Sequence, residues 1–138
     1  MGTPHRVVNP EGLAPPAGFA HAVVAAPGRT VYLGGQAAQG PDGAITGATL
    51  TEQFDLAIVN LVAALAAAGG APEHLVSLHV YTTEIDRYRA SLAELGAAYR
   101  RHLGRHYVAT ALFEVAGLFD PEAKVELVGV AVVPEEEP

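Results

Sequence analysis

The sequence predicts an α+β sandwich, with one mixed sheet of five to six strands and two helices packed on one face. Strand-like and helical segments follow one another in the order ββαβαββ, without an internal repeat. The last two strand-like segments, residues 107–118 and 125–133, carry large apolar residues at adjacent positions, which places such residues on both faces of the sheet. With 138 residues, the chain is long enough for one domain, residues 1–138, and too short for two.

The first strands are expected after an extended surface loop. The first twenty residues are rich in proline and glycine, which favours irregular backbone. Residues 21–26 and 30–35 then flank the turn sequence Pro27-Gly28 and predict a β-hairpin.

The first helix has clear start and stop signals. Thr49 and Glu52 have the spacing of a capping box, and Gly69-Gly70 ends the helical pattern. No polar residue follows Asn60 within the helix, so its last two turns are expected to be buried nearly all round.

A strand at residues 75–82 precedes a second helix at residues 86–103. Arg100, Arg101 and Arg105 lie at its C-terminal end, where positive charge complements the helix dipole. Alternatively, these arginines form a basic patch or reach into the pocket of a neighbouring subunit.

The second face of the sheet also carries large apolar residues, so we expect another surface to bury it. Two helices of about 18 residues cover only one face of such a sheet, while Leu112 and Phe113, like Val132 and Val133, point to opposite sides. Another copy of the chain in a closed homo-oligomer is the simplest cover.

Composition excludes several classes of protein. The chain has no cysteine, which removes disulfides and thiolate chemistry. No signal peptide and no membrane-spanning run are visible, so we expect a cytoplasmic protein that does not bind membranes. A net charge of −7 opposes binding to nucleic acid. The acidic tail, residues 134–138, is expected to be a solvated end.

Two further kinds of site are not expected. His102 and His106 are four residues apart, but Gly104 interrupts the helix between them, so we predict no metal site. Ser77 and Ser91 lack the strand–turn–helix context of a serine nucleophile.

Six segments carry a family resemblance, in order and over nearly the whole chain. They are Gly18-Phe19-Ala20-His21-Ala22-Val23, Val31-Tyr32-Leu33-Gly34-Gly35-Gln36, Ala67-Ala68-Gly69-Gly70, Leu78-His79-Val80-Tyr81-Thr82, Phe113-Glu114-Val115-Ala116-Gly117-Leu118 and Val125-Glu126-Leu127. With them the chain resembles the Rid family, also called YjgF or L-PSP proteins. The resemblance implies a chorismate-mutase-like α+β fold, a homotrimer with pockets at its subunit interfaces, and hydrolysis of reactive enamines or imines without a metal or organic cofactor.

The resemblance also implies which residues line the pocket. Where ammonia-releasing members have an arginine that binds the substrate carboxylate, this chain has Thr110; Phe19 replaces a tyrosine, and Gly34 replaces a serine. Gly35 and Glu126 are retained, with Glu126 as the catalytic carboxylate that positions water. We therefore expect a more apolar, less cationic pocket with poor activity on imines that carry a free carboxylate. From local pattern alone, Gly34-Gly35 is equally typical of a β-bulge.

Leu112 and Glu114 complete the predicted substrate-binding set, because they share strand parity with Thr110. Glu114 is also typical of an ion pair at a subunit boundary. Without the resemblance, Glu126 is more typical of a surface carboxylate paired with Lys124 or with a neighbouring chain.

The sequence thus predicts a cofactor-independent deaminase or hydrolase that acts on a small enamine- or imine-type metabolite. The alternative is a non-catalytic trimer that binds a small ligand or a partner protein. Ribonuclease activity, a label that some relatives carry, fits the acidic charge less well.

Overall fold

The structure is a computed structural model that describes residues 2–135. Most of the predicted solvated tail therefore lies outside the described residues. The elements in chain order are β1 (Arg6–Val8), β2 (Ala22–Val24), β3 (Arg29–Gln36), α1 (Leu50–Ala67), a 3₁₀ turn (Pro72–His74), β4 (Leu75–Thr82), α2 (Ile85–Ala90), α3 (Leu92–Leu103), β5 (Ala109–Glu114) and β6 (Val125–Val133). The predicted α+β class is confirmed.

Four of the strands form one mixed sheet in the order β3-β6-β4-β5. Strand β6 runs antiparallel to both β3 and β4, whereas β4 and β5 are parallel. Strands β1 and β2 form a separate two-stranded antiparallel ribbon. The six strands are therefore divided between two sheets rather than joined in one sheet of five to six.

Two strand predictions need correction. The predicted hairpin does not form, because β2 pairs with β1, which lies in the expected surface loop, and β3 pairs with β6. Strand β3 has eight residues and β6 has nine, so these two strands pair over a longer stretch than β3 could with the three-residue β2. The strand predicted at residues 107–118 is limited to Ala109–Glu114.

Helix α1 begins as predicted. The Thr49 side chain accepts a hydrogen bond from the Glu52 backbone N–H at 3.2 Å. The Glu52 carboxylate accepts one from the Ala48 N–H at 2.8 Å, one residue before the position of an ideal capping box. Together these bonds satisfy two N–H groups at the start of the helix.

One face of α1 packs on the sheet. The buried side chains of this face include Phe54, Ile58, Leu61 and Leu65, but Ala63 and most of the last alanines are exposed. The prediction of burial nearly all round is therefore wrong, since small alanine side chains can face solvent at little cost. By length and composition α1 could cross a membrane; its buried face identifies it as the core helix of this fold.

The second predicted helix is broken at Ser91 into α2 and α3. The Ser91 N–H donates to the Tyr88 carbonyl oxygen at 3.1 Å, and its φ and ψ of −118° and 21° are not helical. The Tyr88 ring packs edge-on against Phe54 with 6.2 Å between centroids. Because Ser91 is neither glycine nor proline, the helical spacing gave no sign of the break.

The two faces of the sheet have different surroundings. Leu78, Val80 and Leu127 face α1 and α3 and belong to the buried core. The opposite face carries Tyr32, which is 80% exposed, and Phe113, which is 43% exposed. As expected, large apolar residues lie on both faces while the helices cover one. We call the second surface the open face.

Candidate functional site

A cavity of about 570 Å³ lies between α3, strand β5 and the segment around Phe19. Three of the predicted substrate-binding residues, Phe19, Thr110 and Leu112, line it together. The other lining residues are Ala17, Gly18, Phe54, Tyr88, Leu92, Leu95, Gly96, Tyr99, Arg100 and Tyr107. We call this space the aromatic cavity.

Three of the residues that line the aromatic cavity are tyrosines. The rings of Tyr99 and Tyr107 are stacked with 5.5 Å between centroids, and the Tyr99 hydroxyl donates to the His106 carbonyl oxygen at 2.6 Å. Burial raises the pKa of Tyr88, and burial together with the neighbouring Tyr107 raises the pKa of Tyr99 well above its usual range. These two phenols therefore stay neutral at physiological pH.

Thr110 faces the helices rather than the open face, because it lies opposite the core residue Leu78 on β4. Its hydroxyl donates to the Val108 carbonyl oxygen at 2.8 Å. The side chain therefore offers the cavity a methyl group and an acceptor oxygen, while its proton is already engaged. Such a group does not hold a carboxylate by charge.

The arginines at the end of α3 have separate surroundings. Arg101 binds Asp55 on α1 at 2.6 Å, and His102 contacts the same carboxylate oxygen at 2.9 Å. Arg105 lines a neighbouring cavity of about 650 Å³. Arg100 lines the aromatic cavity, so this cavity carries a cation that the pocket inferred from the resemblance did not include.

Glu126 lies on the open face, next to a β-bulge. Strand β3 shifts register between Leu33 and Gln36, and Gly34 and Gly35 have no partner on β6. A Cβ atom on Gly35 would lie 2.5 Å from Glu126 Oε2, so the carboxylate occupies the space that this glycine leaves free. The bulge that the local pattern predicts is confirmed, whereas a role of Gly34 and Gly35 in binding substrate stays a prediction.

The surroundings of Glu126 are aromatic. It lies opposite Tyr81 on β4, whose ring stacks on Phe113 with 5.4 Å between centroids. His79 Nδ1 lies 3.4 Å from the Tyr81 hydroxyl oxygen. The alternative pairing of Glu126 with Lys124 is not formed, because the Lys124 ammonium reaches Glu84 at 2.7 Å.

Glu114 is separated from the rest of the predicted set. It shares a face of β5 with Thr110 and Leu112, but it is exposed and lines a different depression with residues 83–87. The structure thus brings Phe19, Thr110 and Leu112 together on one side of the sheet. It brings Gly35 and Glu126 together on the other.

The histidines bind separate backbone or side-chain partners. His106 Nε2 contacts the Leu75 carbonyl oxygen at 2.9 Å, and His21 Nε2 contacts the Ala14 carbonyl oxygen at 2.7 Å. Within residues 2–135, no three His, Asp or Glu side chains are grouped as metal ligands.

A family model described as endoribonuclease L-PSP matches residues 10–133. The chain belongs to the Rid/YjgF/L-PSP family. Among solved structures, this Rid-family protein is 32% identical to a Yersinia pestis protein of unknown function, YyfB, of the conserved Rid family, with a TM-score of 0.83. That match covers 94% of this chain and 98% of the other.

Two further structures have the same fold. RidA from an Antarctic Psychrobacter is 25% identical, with a TM-score of 0.67, over 87% of this chain and 92% of the other. E. coli TdcF, solved with bound serine, is 23% identical, with a TM-score of 0.65, over 91% and 93%. No curated protein matches the chain significantly. Membership of the Rid family supports a role in processing small molecules in general.

Proposed function

We propose that this protein is a cofactor-independent hydrolase of a small enamine- or imine-type metabolite, and that Glu126 positions the attacking water. The observation that carries the proposal is the contact of Glu126 with Gly35, where a carboxylate lies against unpaired bulge backbone. A carboxylate can take a proton from water, and bulge backbone can hold a polar ligand.

The reaction follows from these groups. Water adds to the carbon of the C=N bond while Glu126 accepts one of its protons. The same carboxyl group gives this proton to the nitrogen, which yields a carbinolamine. It then takes the proton of the new hydroxyl group and passes it to the nitrogen as the C=O bond forms and the carbon–nitrogen bond breaks. A carbonyl compound and an amine or ammonia are released, and the carboxylate is regenerated, so one water is consumed in each cycle.

The active site is proposed to form between subunits. The aromatic cavity and Glu126 lie on opposite faces of one sheet, so within one chain they do not contact the same small molecule. The open face exposes Tyr32 and Phe113, which suits contact with another copy. A homotrimer would bring the cavity of one subunit to the Glu126 of the next.

The first experiment measures ammonia release from imines with and without a carboxylate, generated in the assay mixture. The Glu126→Gln variant keeps the shape of the side chain but removes the base, and it should lower turnover about 10²–10⁴-fold. Thr110→Arg tests whether a cation on β5 changes the choice of imine. Unchanged turnover in Glu126→Gln would remove Glu126 from the mechanism. Ligand binding without turnover of any imine would favour the non-catalytic alternative.

A second experiment tests the shared site. Leu112→Trp should fill the aromatic cavity, and Leu112 is exposed enough to accept the change. Trimers in which every subunit carries Leu112→Trp, or every subunit carries Glu126→Gln, should be inactive. Trimers assembled at random from the two variants should regain about one quarter of wild-type activity, because about one interface in four joins the intact cavity of one subunit to the intact Glu126 of the next. No recovery in mixed trimers would place both halves of the site within one subunit.

The family description names an endoribonuclease, but the chain's charge does not suit RNA. Its net charge of −7 opposes attraction to a phosphate backbone, and its aromatic cavity is mainly apolar. RNA cleavage that persists in a Glu126→Gln variant would support that second function over the hydrolase.

A further inference from the structure

The aromatic cavity carries a single charged group in the described part of the chain, the Arg100 guanidinium. The other lining side chains are apolar or aromatic, apart from the Thr110 hydroxyl, and no carboxylate lines the cavity. A guanidinium beside apolar walls is suited to a ligand that combines an anionic group with an apolar body.

Arg100 is free to bind such a ligand. Its neighbour Arg101 is held by Asp55, and Lys124 is held by Glu84. Within residues 2–135, none of the ion pairs and none of the side-chain hydrogen bonds involves Arg100. The guanidinium therefore has its donors available for a ligand.

Gly96 leaves space on α3 for the Arg100 guanidinium. It lies four residues before Arg100, one helical turn away in the interior of α3, where glycine is less favourable than alanine. A Cβ atom on Gly96 would lie 3.1 Å from Arg100 Nη1. The missing side chain thus lets the guanidinium lie against the helix beside the cavity, which Gly96 also lines.

We propose that Arg100 binds the carboxylate of a small ligand whose aromatic or branched apolar group occupies the aromatic cavity. The proposal rests on the proposed function in one respect, because it names the substrate class of the same site: imines with a carboxylate and a bulky apolar group. The presence of Thr110 on β5 predicts poor activity on imines that carry a free carboxylate. Arg100 on α3 supplies a cation in its place, so such imines become the expected substrates. A space of about 570 Å³ is large enough for a molecule that contains one ring.

The test uses three probes and measures binding by calorimetry on the intact oligomer. 3-Phenylpropionate has both the ring and the carboxylate, 3-phenylpropanol has only the ring, and propionate has only the carboxylate. The wild type should bind 3-phenylpropionate at least about tenfold more tightly than either of the others. Equal affinity for the acid and the alcohol, or no binding of the acid, would overturn the proposal.

Three variants locate the group that causes the preference for the acid. Arg100→Gln should remove the preference for the acid over the alcohol, while Arg101→Gln, with the same change of charge next to it, should keep that preference. Gly96→Ala should weaken binding of the acid yet raise thermal stability, since the added methyl moves the guanidinium while alanine favours the helix. An acid preference that survives in Arg100→Gln would refute the assignment.

The binding test is independent of turnover. Binding of 3-phenylpropionate that depends on Arg100, with no ammonia release from any imine, would leave this inference standing and refute the hydrolase. Imine turnover that does not change in Arg100→Gln would leave the hydrolase standing and refute the role of Arg100.

Discussion

Gln53 should be among the most sensitive polar positions of this fold. Its side chain is 1% exposed and lies on the buried face of α1. Its Nε2 donates to the Gly47 and Glu122 carbonyl oxygens, each at 3.1 Å, and its Oε1 accepts from the Lys124 N–H at 2.8 Å. One side chain therefore connects α1 to the loop before it and to the start of β6, two residues before Glu126.

Gln53→Met keeps the volume and removes all three hydrogen bonds. Each bond contributes about 1 kcal/mol net, and leaving the Lys124 N–H without an acceptor adds to the loss, so unfolding should become easier by about 2–4 kcal/mol. For a chain of this length the midpoint of thermal unfolding should fall by roughly 6–12 °C. Gln53→Leu should behave similarly.

Urea and thermal unfolding at one fixed protein concentration measure the effect, since association would make stability depend on concentration. Gln39→Met is the matched control, because Gln39 is exposed and its side chain makes one bond, to the Gly43 carbonyl oxygen at 3.3 Å. The control should change stability by less than about 0.5 kcal/mol. A Gln53→Met loss as small as that of the control would refute this account of the buried bonds.

Two other predictions concern Glu126 and Asp55. Gly35→Ala should displace the Glu126 carboxylate and lower ammonia release about 10²-fold or more, with little change in the melting temperature; full activity would show that the contact is not needed. For Asp55, burial alone would raise the pKa, but hydrogen bonds and charge from Arg101 and His102 outweigh it and lower the pKa below 3.8. The stabilisation is therefore present above pH 3.8 and is lost as pH falls through the lowered pKa. In urea unfolding, Asp55→Asn should lose about 0.5–1 kcal/mol at neutral pH and nothing in strong acid, and a pH-independent loss would contradict this.

Local sequence signals predicted the elements better than their pairing. The Thr49 cap and the strand at Leu75–Thr82 were predictable because they depend on neighbouring residues. The partner of β3 was not, because β3 and β6 are about a hundred residues apart in sequence and a local turn signal says nothing about competing ladders. The break at Ser91 was hidden because apolar positions continue at helical spacing on both sides of it.

The residues of the candidate site were predictable, but their arrangement on two sides of the sheet was not. The resemblance pointed to Phe19, Thr110, Gly35 and Glu126, but parity along a single strand could not show that they lie on two sides of one sheet. The position of Arg100 depends on how α3 packs against β5, which no local pattern encodes. Its only sequence signal is the glycine one helical turn earlier.

The bulge in β3 has a consequence for changes in chain length. Side chains alternate between the two faces of a strand, and the extra residue at Gly34-Gly35 shifts that alternation between Leu33 and Gln36. Leu33 and Gln36 lie opposite Gly129 and Leu127, which are two residues apart on β6, so both point to the same face of the sheet. Deleting either glycine would restore regular pairing and leave both side chains on that face, but it would remove the bulge that lies against Glu126. A variant that loses one glycine of the pair should therefore keep the sheet and lose the contact between Gly35 and Glu126, so a single deletion separates the fold of this chain from its proposed chemistry.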